Sequence, residues 1–264
     1  MTNKFYKRFT RLISMLKKTF CHASGISSNT EKVLWENGIL TWDDFLENID
    51  TISFLPTSKK EKLKSEILFS KDYLNENNIN YFRDKLVPKE HFRLVNFGKI
   101  GYVDIETTGL SKYTNDITVI GIYDGKNSKI YVNGQDLEEA YEYLKEFDVV
   151  VTFNGKTFDM PFIEEKSGNK YDIIHLDLRY LLKELGYSGG LKNIEQELGI
   201  TRAEEVQGVD GFEAVRLWKR YLRGDEGALK TLLKYNEEDI VNLKFLLEHY
   251  LKEKEKMFNE NYLN

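Results

Sequence analysis

The stretch that decides the fold reads Tyr102-Val103-Asp104-Ile105-Glu106-Thr107-Thr108-Gly109-Leu110. Ile100, Tyr102 and Val103 lead into an Asp-x-Glu pair, and a Thr-Thr-Gly turn closes it. Alternate side chains of a strand point to the same side, so Asp104 and Glu106 share one face, about 7 Å apart along the strand. Two carboxylates that close repel each other, and a metal cation is the usual reason to place them together.

Working outward, Ile117–Tyr123 reads as a second strand. The turn Asp124-Gly125-Lys126-Asn127 leads to a third at Lys129–Val132, which makes a three-stranded meander. Asp136 caps a helix with Leu137, Ala140, Tyr141 and Leu144 on one face. Asp148–Phe153 is an apolar run suited to a strand buried on both faces. A helix is expected from about Thr157, and a short fifth strand at Tyr171–His175. Helices are expected at Leu176–Leu185, Leu191–Leu198, Gly211–Leu222, Ala228–Leu233 and from Tyr235 onward. Three antiparallel strands, a helix, a parallel strand and further helices give an α/β fold in the order of a ribonuclease H-like domain. The expected division is a helical domain at 1–90, the α/β domain at 91–255 and a charged tail at 256–264.

Toward the N-terminus the texture is helical. Residues 1–20 carry six basic residues and no acidic one, with Phe5, Phe9, Leu12, Ile13, Leu16 and Phe20 at helical spacing. Such a helix can pack on the body, serve as a basic arm for nucleic acid, or lie on a membrane surface. Ser28 or Asn29 is expected to cap a helix through Glu36 that ends at Gly38. Thr41 with Asp44 forms a capping box for Trp42–Glu47, and Lys59–Tyr73 is a third helix. Ala23–Ser27 followed by Thr30–Leu34 resembles a helix-hairpin-helix module, with one glycine, Gly25, where that family commonly has two. This region reads either as a contact for duplex nucleic acid or as a helical cap held by Trp35, Trp42 and Phe45. Asn75, Asn77, Asn78, Asn80 and Pro88 mark the boundary.

Bulk composition narrows the classes. No run approaches the roughly 20 apolar residues of a membrane helix. The one cysteine, Cys21, cannot form an internal disulfide, and the leader-like stretch Leu12–Leu16 is too short for a signal peptide, so a cytoplasmic location is expected. With 38 basic and 43 acidic residues, net −5, the chain is not built to hold duplex DNA by bulk charge, but local patches can still bind nucleic acid.

Two further signals join the Asp-x-Glu pair. After the fourth strand comes Phe153-Asn154-Gly155-Lys156-Thr157-Phe158-Asp159-Met160-Pro161-Phe162, with Asp159 near a helix start. Near the C-terminus, Tyr235-Asn236-Glu237-Glu238-Asp239 puts Tyr235 and Asp239 on one helix face. A phenol one turn from a carboxylate can orient a water held by the metal that the carboxylate binds.

In this order the three motifs resemble those of the DEDD-type 3′–5′ exonucleases, in the subclass whose last motif begins with tyrosine. The Asn154–Phe162 segment is similar to the second motif of family B DNA polymerase proofreading domains. The YprB-like exonucleases resemble the chain further, through His175-Leu176-Asp177-Leu178, Leu191-Lys192, Leu198-Gly199-Ile200 and Tyr235-Asn236-x-x-Asp239. The resemblance implies that Asp104, Glu106, Asp159 and Asp239 hold two divalent cations, Mg²⁺ or Mn²⁺, and that Tyr235 positions the attacking water. It implies that Thr107, Thr108 and Leu110 touch the 3′-terminal nucleotide, with Phe158 beside it and Asn154 near the penultimate one. Lys156, Lys192 and Arg202 are candidate cations for the strand. His175 reads as a packed core histidine or a ligand, and Asp177 as a helix cap or a support to the site. The expected activity is a 3′–5′ exonuclease on single-stranded or frayed DNA or RNA, with DNA repair as a setting. A structure-specific endonuclease and a non-catalytic nucleic-acid-binding module are the alternatives.

Overall fold

The computed structural model describes residues 15–263. The described residues up to Gly98, together with those from Lys252, make one compact unit, and Lys99–Leu251 make the other. The N-terminal amphipathic stretch falls largely outside the described residues.

The first unit is helical: α1 (Ser28–Glu36), α2 (Trp42–Asn48), α3 (Thr57–Asn75), α4 (Ile79–Lys85) and a 3-10 turn at Pro88–Leu94. The Thr41–Asp44 capping box forms as expected, each side chain satisfying the other residue's backbone N–H. The cap of α1 is Ser27, one residue earlier than expected, accepting from the Thr30 N–H. Trp42 anchors this core: it is fully buried, stacks on Phe82 and donates its indole N–H to the Thr19 carbonyl. Residues 75–98, whose polar composition is expected to mark the boundary, are folded. They fold into α4 and the 3-10 turn, and Phe97 packs on Phe82 with ring centroids 6.2 Å apart, which carries the boundary from 90 to 98.

The second unit is a five-stranded sheet in the order β3-β2-β1-β4-β5: β1 (Ile100–Thr107), β2 (Ile117–Tyr123), β3 (Ser128–Val132), β4 (Val149–Thr152) and β5 (Ile174–Asp177). β1–β2 and β2–β3 pair antiparallel; β1–β4 and β4–β5 pair parallel. The helices are α5 (Leu137–Leu144), α6 (Asp159–Ser167), α7 (Leu178–Glu184), α8 (Leu191–Glu197), α9 (Gly211–Tyr221) and α10 (Glu226–Tyr262), of which the residues up to Leu251 belong to this unit. This is the expected α/β, ribonuclease H-like arrangement.

Two expectations shift. β5 begins at Ile174 rather than Tyr171, because the ladder with β4 pairs Val149 with Ile174 and Thr152 with Asp177. The helices expected at Ala228–Leu233 and from Tyr235 are one continuous helix. No proline or glycine interrupts it after Gly227, and it runs to Tyr262 through the stretch expected to be a tail.

Strand alternation sorts β1 between two cores. Val103 and Ile105 point into a core with Ile120 and Ile122 of β2, Leu144 of α5 and Phe162 of α6. Asp104 and Glu106 face the other way. Glu106 pairs opposite Val119, which packs with Leu217 of α9 and Leu232 of α10. The acidic pair is therefore aimed at the late helices.

Candidate active site

β1, β4 and β5 run parallel, so their C-terminal ends meet at one edge of the sheet, where ligands of open α/β sheets bind. The β1 end supplies Asp104 and Glu106, and the turn after β4 leads to Asp159 at the first position of α6. One turn apart on α10 stand Tyr235 and Asp239, both buried. Carboxylate oxygens of Asp104, Glu106 and Asp239 lie within 4.8 Å of one another. Asp159 stands outside that trio. Its Oδ1 accepts the Ile105 N–H at 3.2 Å, which ties it to the backbone between the two acidic residues of β1.

These carboxylates are poorly supplied with hydrogen-bond donors. Asp104 accepts from the Asn236 amide at 2.9 Å, Asp239 accepts from Arg202, and no hydrogen bond reaches Glu106 among the described residues. Burial, then the charge of Asp239, pushes Asp104 and Glu106 well above the usual carboxylate range. Burial lifts Asp159 to about 7, and lifts Asp239 to about 6 against the opposing pull of Arg202. Burial and then Asp239 also raise the Tyr235 phenol, which therefore stays protonated.

Hard oxygen donors that resist ionisation until a positive charge arrives fit Mg²⁺ or Mn²⁺. The trio could supply one group of ligands, and Asp159 is the fourth carboxylate at the site.

Asn236 is a site residue that the sequence reading quoted but gave no role. Its amide reaches both the Asp104 carboxylate and the Asp104 carbonyl. The space it needs comes from Gly121, the cross-strand partner of Asp104: a Cβ there would stand 2.0 Å from the Asn236 Oδ1. A β-bulge at Glu106/Thr107 then ends the regular register where the turn begins.

A cavity of about 740 Å³ opens over these groups. Asp104, Glu106, Asp159, Tyr235 and Asp239 line it, together with Thr107, Thr108, Leu110, Asn154 and Phe158. Leu110 is 82% exposed within it. The hydroxyls of Thr107 and Thr108 are spent on the turn: Thr107 donates to the Gly109 carbonyl and Thr108 accepts the Asp116 N–H. Asn154 has φ +67°, and its side-chain oxygen accepts from Arg179 at 2.6 Å and from Thr157. That oxygen holds the loop, so any nucleotide contact falls to the amide nitrogen.

Lys192 is not part of this cavity wall. Its Nζ sits 4.9 Å from the Tyr235 ring centroid, beside Arg202, whose guanidinium is 5.4 Å from the same ring. Both residues line a neighbouring cavity of about 530 Å³. Arg202, a candidate cation for the strand, is buried against Asp239. His175 is a packed histidine: burial lowers it to about 4, and its Nε2 is 2.8 Å from the Thr152 hydroxyl. Asp177 is both cap and support. It accepts from the backbone N–H groups of Asn154, Lys156 and Arg179 and so fixes the loop that delivers Phe158 and Asp159.

The far wall was not read from sequence as a binding surface. α9 presents Phe212, Val215, Arg216 and Lys219 to the cavity, at i, i+3, i+4 and i+7. Phe212 is 77% exposed. The signal was present, since Leu217 and Trp218 mark the opposite, buried face of the same helix.

A family model described as the RNase_H superfamily matches residues 101–251. Among solved structures, the family B DNA polymerase of the hyperthermophilic archaeon Pyrobaculum calidifontis is 17% identical over 58% of this chain and 24% of its own, with a TM-score of 0.49. Brucella melitensis NrnC bound to pGG is 20% identical over 62% of this chain and 79% of its own, with a TM-score of 0.43. The same NrnC with bound Mg²⁺ is 17% identical over 62% and 80%, with a TM-score of 0.40. The chain spans about a quarter of the length of the polymerase. No curated protein matches it.

Proposed function

The chain belongs to the RNase H superfamily, and from that premise we propose that it is a divalent-metal-dependent 3′–5′ exonuclease acting on single-stranded or frayed nucleic acid. The observation that carries this reading is the convergence of Asp104, Glu106 and Asp239 within 4.8 Å on the floor of the cavity. Asp104, Glu106, Asp239 and Asp159 would hold two cations, Mg²⁺ or Mn²⁺. Bound there, the ions would polarise the phosphoryl group and lower the pKa of the attacking water.

The chain's own residues do the rest. Tyr235, whose phenol burial and Asp239 hold above its ordinary pKa, would orient the attacking water by hydrogen bonding. Asn236 fixes the Asp104 carboxylate, and Ile105 fixes Asp159. Leu110 and Phe158 give apolar surface for a terminal base, and Phe212 gives a stacking platform on the α9 side. Arg216 and Lys219 supply positive charge to a strand whose phosphates would be repelled by the acidic floor.

The test is to incubate 5′-labelled single-stranded and 3′-recessed DNA and RNA with the protein and Mn²⁺ or Mg²⁺. The expected result is stepwise shortening from the 3′ end that is lost in the Asp104→Ala/Glu106→Ala variant. No shortening of any substrate, or equal activity of the variant, defeats the reading. Cleavage of a circular single strand assigns an endonuclease instead.

A further inference from the structure

We infer that Asn115 is a positioning residue of the nuclease site: its side chain holds the turn that sets Leu110 against the terminal base. This rests on the nuclease reading above and adds a residue to it.

The turn after β1 carries Leu110 into the cavity over the carboxylates, where its side chain is open to whatever enters. An exposed leucine by itself means little. What sets this one apart is how firmly its neighbours are held. At the base of the turn, the Thr108 N–H donates to the Asp116 carbonyl at 2.9 Å, and the Thr108 hydroxyl accepts the Asp116 N–H at 3.0 Å. The Thr107 hydroxyl donates to the Gly109 carbonyl at 2.7 Å.

Asn115 closes the turn from the other side. Its N–H donates to the Ser111 carbonyl at 2.8 Å, and its Oδ1 accepts the Ser111 N–H at 3.1 Å. The flat of the same amide lies on Gly109: a Cβ there would stand 2.8 Å from Cγ, Nδ2 and Oδ1 alike. Asn115 thus grips both the residue before Leu110 and the residue after it. Only glycine leaves room for that approach at position 109.

Two ion pairs also join this turn to α6, the helix that begins with Asp159. Lys166 reaches Asp116 at 2.9 Å and Lys112 reaches Glu165 at 3.8 Å. All four side chains are partly exposed, and pairs of that kind contribute little. The Asn115 amide, not the charges, fixes the turn.

Rigidity matters because of what Leu110 would do. A base that packs on a mobile leucine must first order the backbone that carries it, and that cost is subtracted from binding. On a turn already ordered, the apolar contact is available in full. The contact is made to a base, so loosening the turn weakens binding of an oligonucleotide and spares a phosphodiester that has no base.

The test is steady-state kinetics of the full-length protein with Mn²⁺, on a single-stranded oligonucleotide and on methyl p-nitrophenyl phosphate, a phosphodiester without a base. Asn115→Ala is expected to raise the oligonucleotide KM about tenfold, the effect of having to order about one residue on binding. Hydrolysis of methyl p-nitrophenyl phosphate should stay within about twofold of the parent. Gly109→Ala, whose methyl group would displace the same amide, should match Asn115→Ala on the oligonucleotide. The Leu110→Ala/Asn115→Ala pair should be no worse than Leu110→Ala alone, because residues that act through one contact are not additive. A KM that multiplies the two single effects overturns the assignment, since it gives Asn115 a role apart from Leu110. So does an Asn115→Ala variant that loses both substrates equally, which would make Asn115 a support for the fold. Lys166→Ala should lie within about twofold of the parent, and a loss as large as that of Asn115→Ala would move the role to the ion pair. A parent that acts on neither substrate sinks the nuclease reading, and this inference with it. A parent that shortens the oligonucleotide while Asn115→Ala matches its KM sinks only Asn115.

Discussion

Two parallel strands of one sheet end in buried acids, and the two ends are solvated in opposite ways. At the end of β5, Asp177 receives three backbone N–H groups and is satisfied by the chain itself. At the end of β1, the Glu106 carboxylate receives none among the described residues, and the Asp104 carboxylate receives only the Asn236 side chain. Glu106 and Asp177 are both buried and Asp104 is half-buried, but the donor supply differs far more. A buried acid with enough donors is a structural brace; a buried acid without them is a request for a cation. The contrast supports the proposed site at the β1 end more directly than the count of carboxylates does.

The sharpest way to break this contrast is Glu106→Gln. At the β1 end the charge serves only a bound cation, so hydrolysis should fall at least about a thousand-fold, given that metal assistance is worth several kcal/mol. Stability should move the other way. The raised pKa values of Asp159, about 7, and Asp239, about 6, mean that the folded metal-free protein holds protons that the unfolded chain releases. The contribution of these two groups to metal-free stability is therefore fully present below about pH 4 and is lost as pH rises through 6 and 7. Glu106→Gln should raise the metal-free Tm at pH 8 by several degrees. Mn²⁺ should raise the parent's Tm at pH 8 and hardly at pH 5. Differential scanning calorimetry reads both, and a metal-free Tm that rises with pH contradicts the account.

Asp177→Asn probes the other half. The amide turns an N–H₂ group toward backbone donors that need an acceptor, which costs about 2–4 kcal/mol. For a chain of this size that is a Tm lower by about 5–15 °C. The folded fraction should still bind Mn²⁺ like the parent. A variant that keeps its Tm but loses Mn²⁺ would reverse the roles of the two ends.

The smallest effect is expected on the α9 wall. Arg216→Glu/Lys219→Glu should raise the KM for a single-stranded oligonucleotide about tenfold and change kcat less. The dependence of log KM on log salt should flatten by about 1.4, the loss of two phosphate contacts to a single strand. An unchanged salt slope would remove α9 from the strand path.

What was legible in the sequence is what depends on short-range periodicity. Asp104 and Glu106 share a face because strands repeat every two residues; Tyr235 and Asp239 share one because helices return every four. Order along the chain then gave the fold. The rest depends on contacts that no local pattern encodes. Asn236 reaches Asp104 across 132 residues, and Arg202 reaches Asp239 across 37. Read locally, Arg202 looks like a solvated surface charge; only the buried Glu195 reveals that it is an interior group. Likewise the threonines after Glu106 look ready for a ligand until the turn is seen to use their hydroxyls. β5 was displaced because Tyr171–His175 has strand-like side chains, whereas pairing partners on β4 set where a strand begins.

Gly121 carries one last consequence. It has no chemistry, touches no substrate in the proposed scheme and lies on the strand beside the acidic one, yet a single methyl group there would intrude on Asn236. The outline of the catalytic floor is thus set partly by an atom that is missing. An engineer who wanted a quiet version of this protein, with every charge intact and the fold undisturbed elsewhere, would begin with Gly121→Ala, at the back of the site.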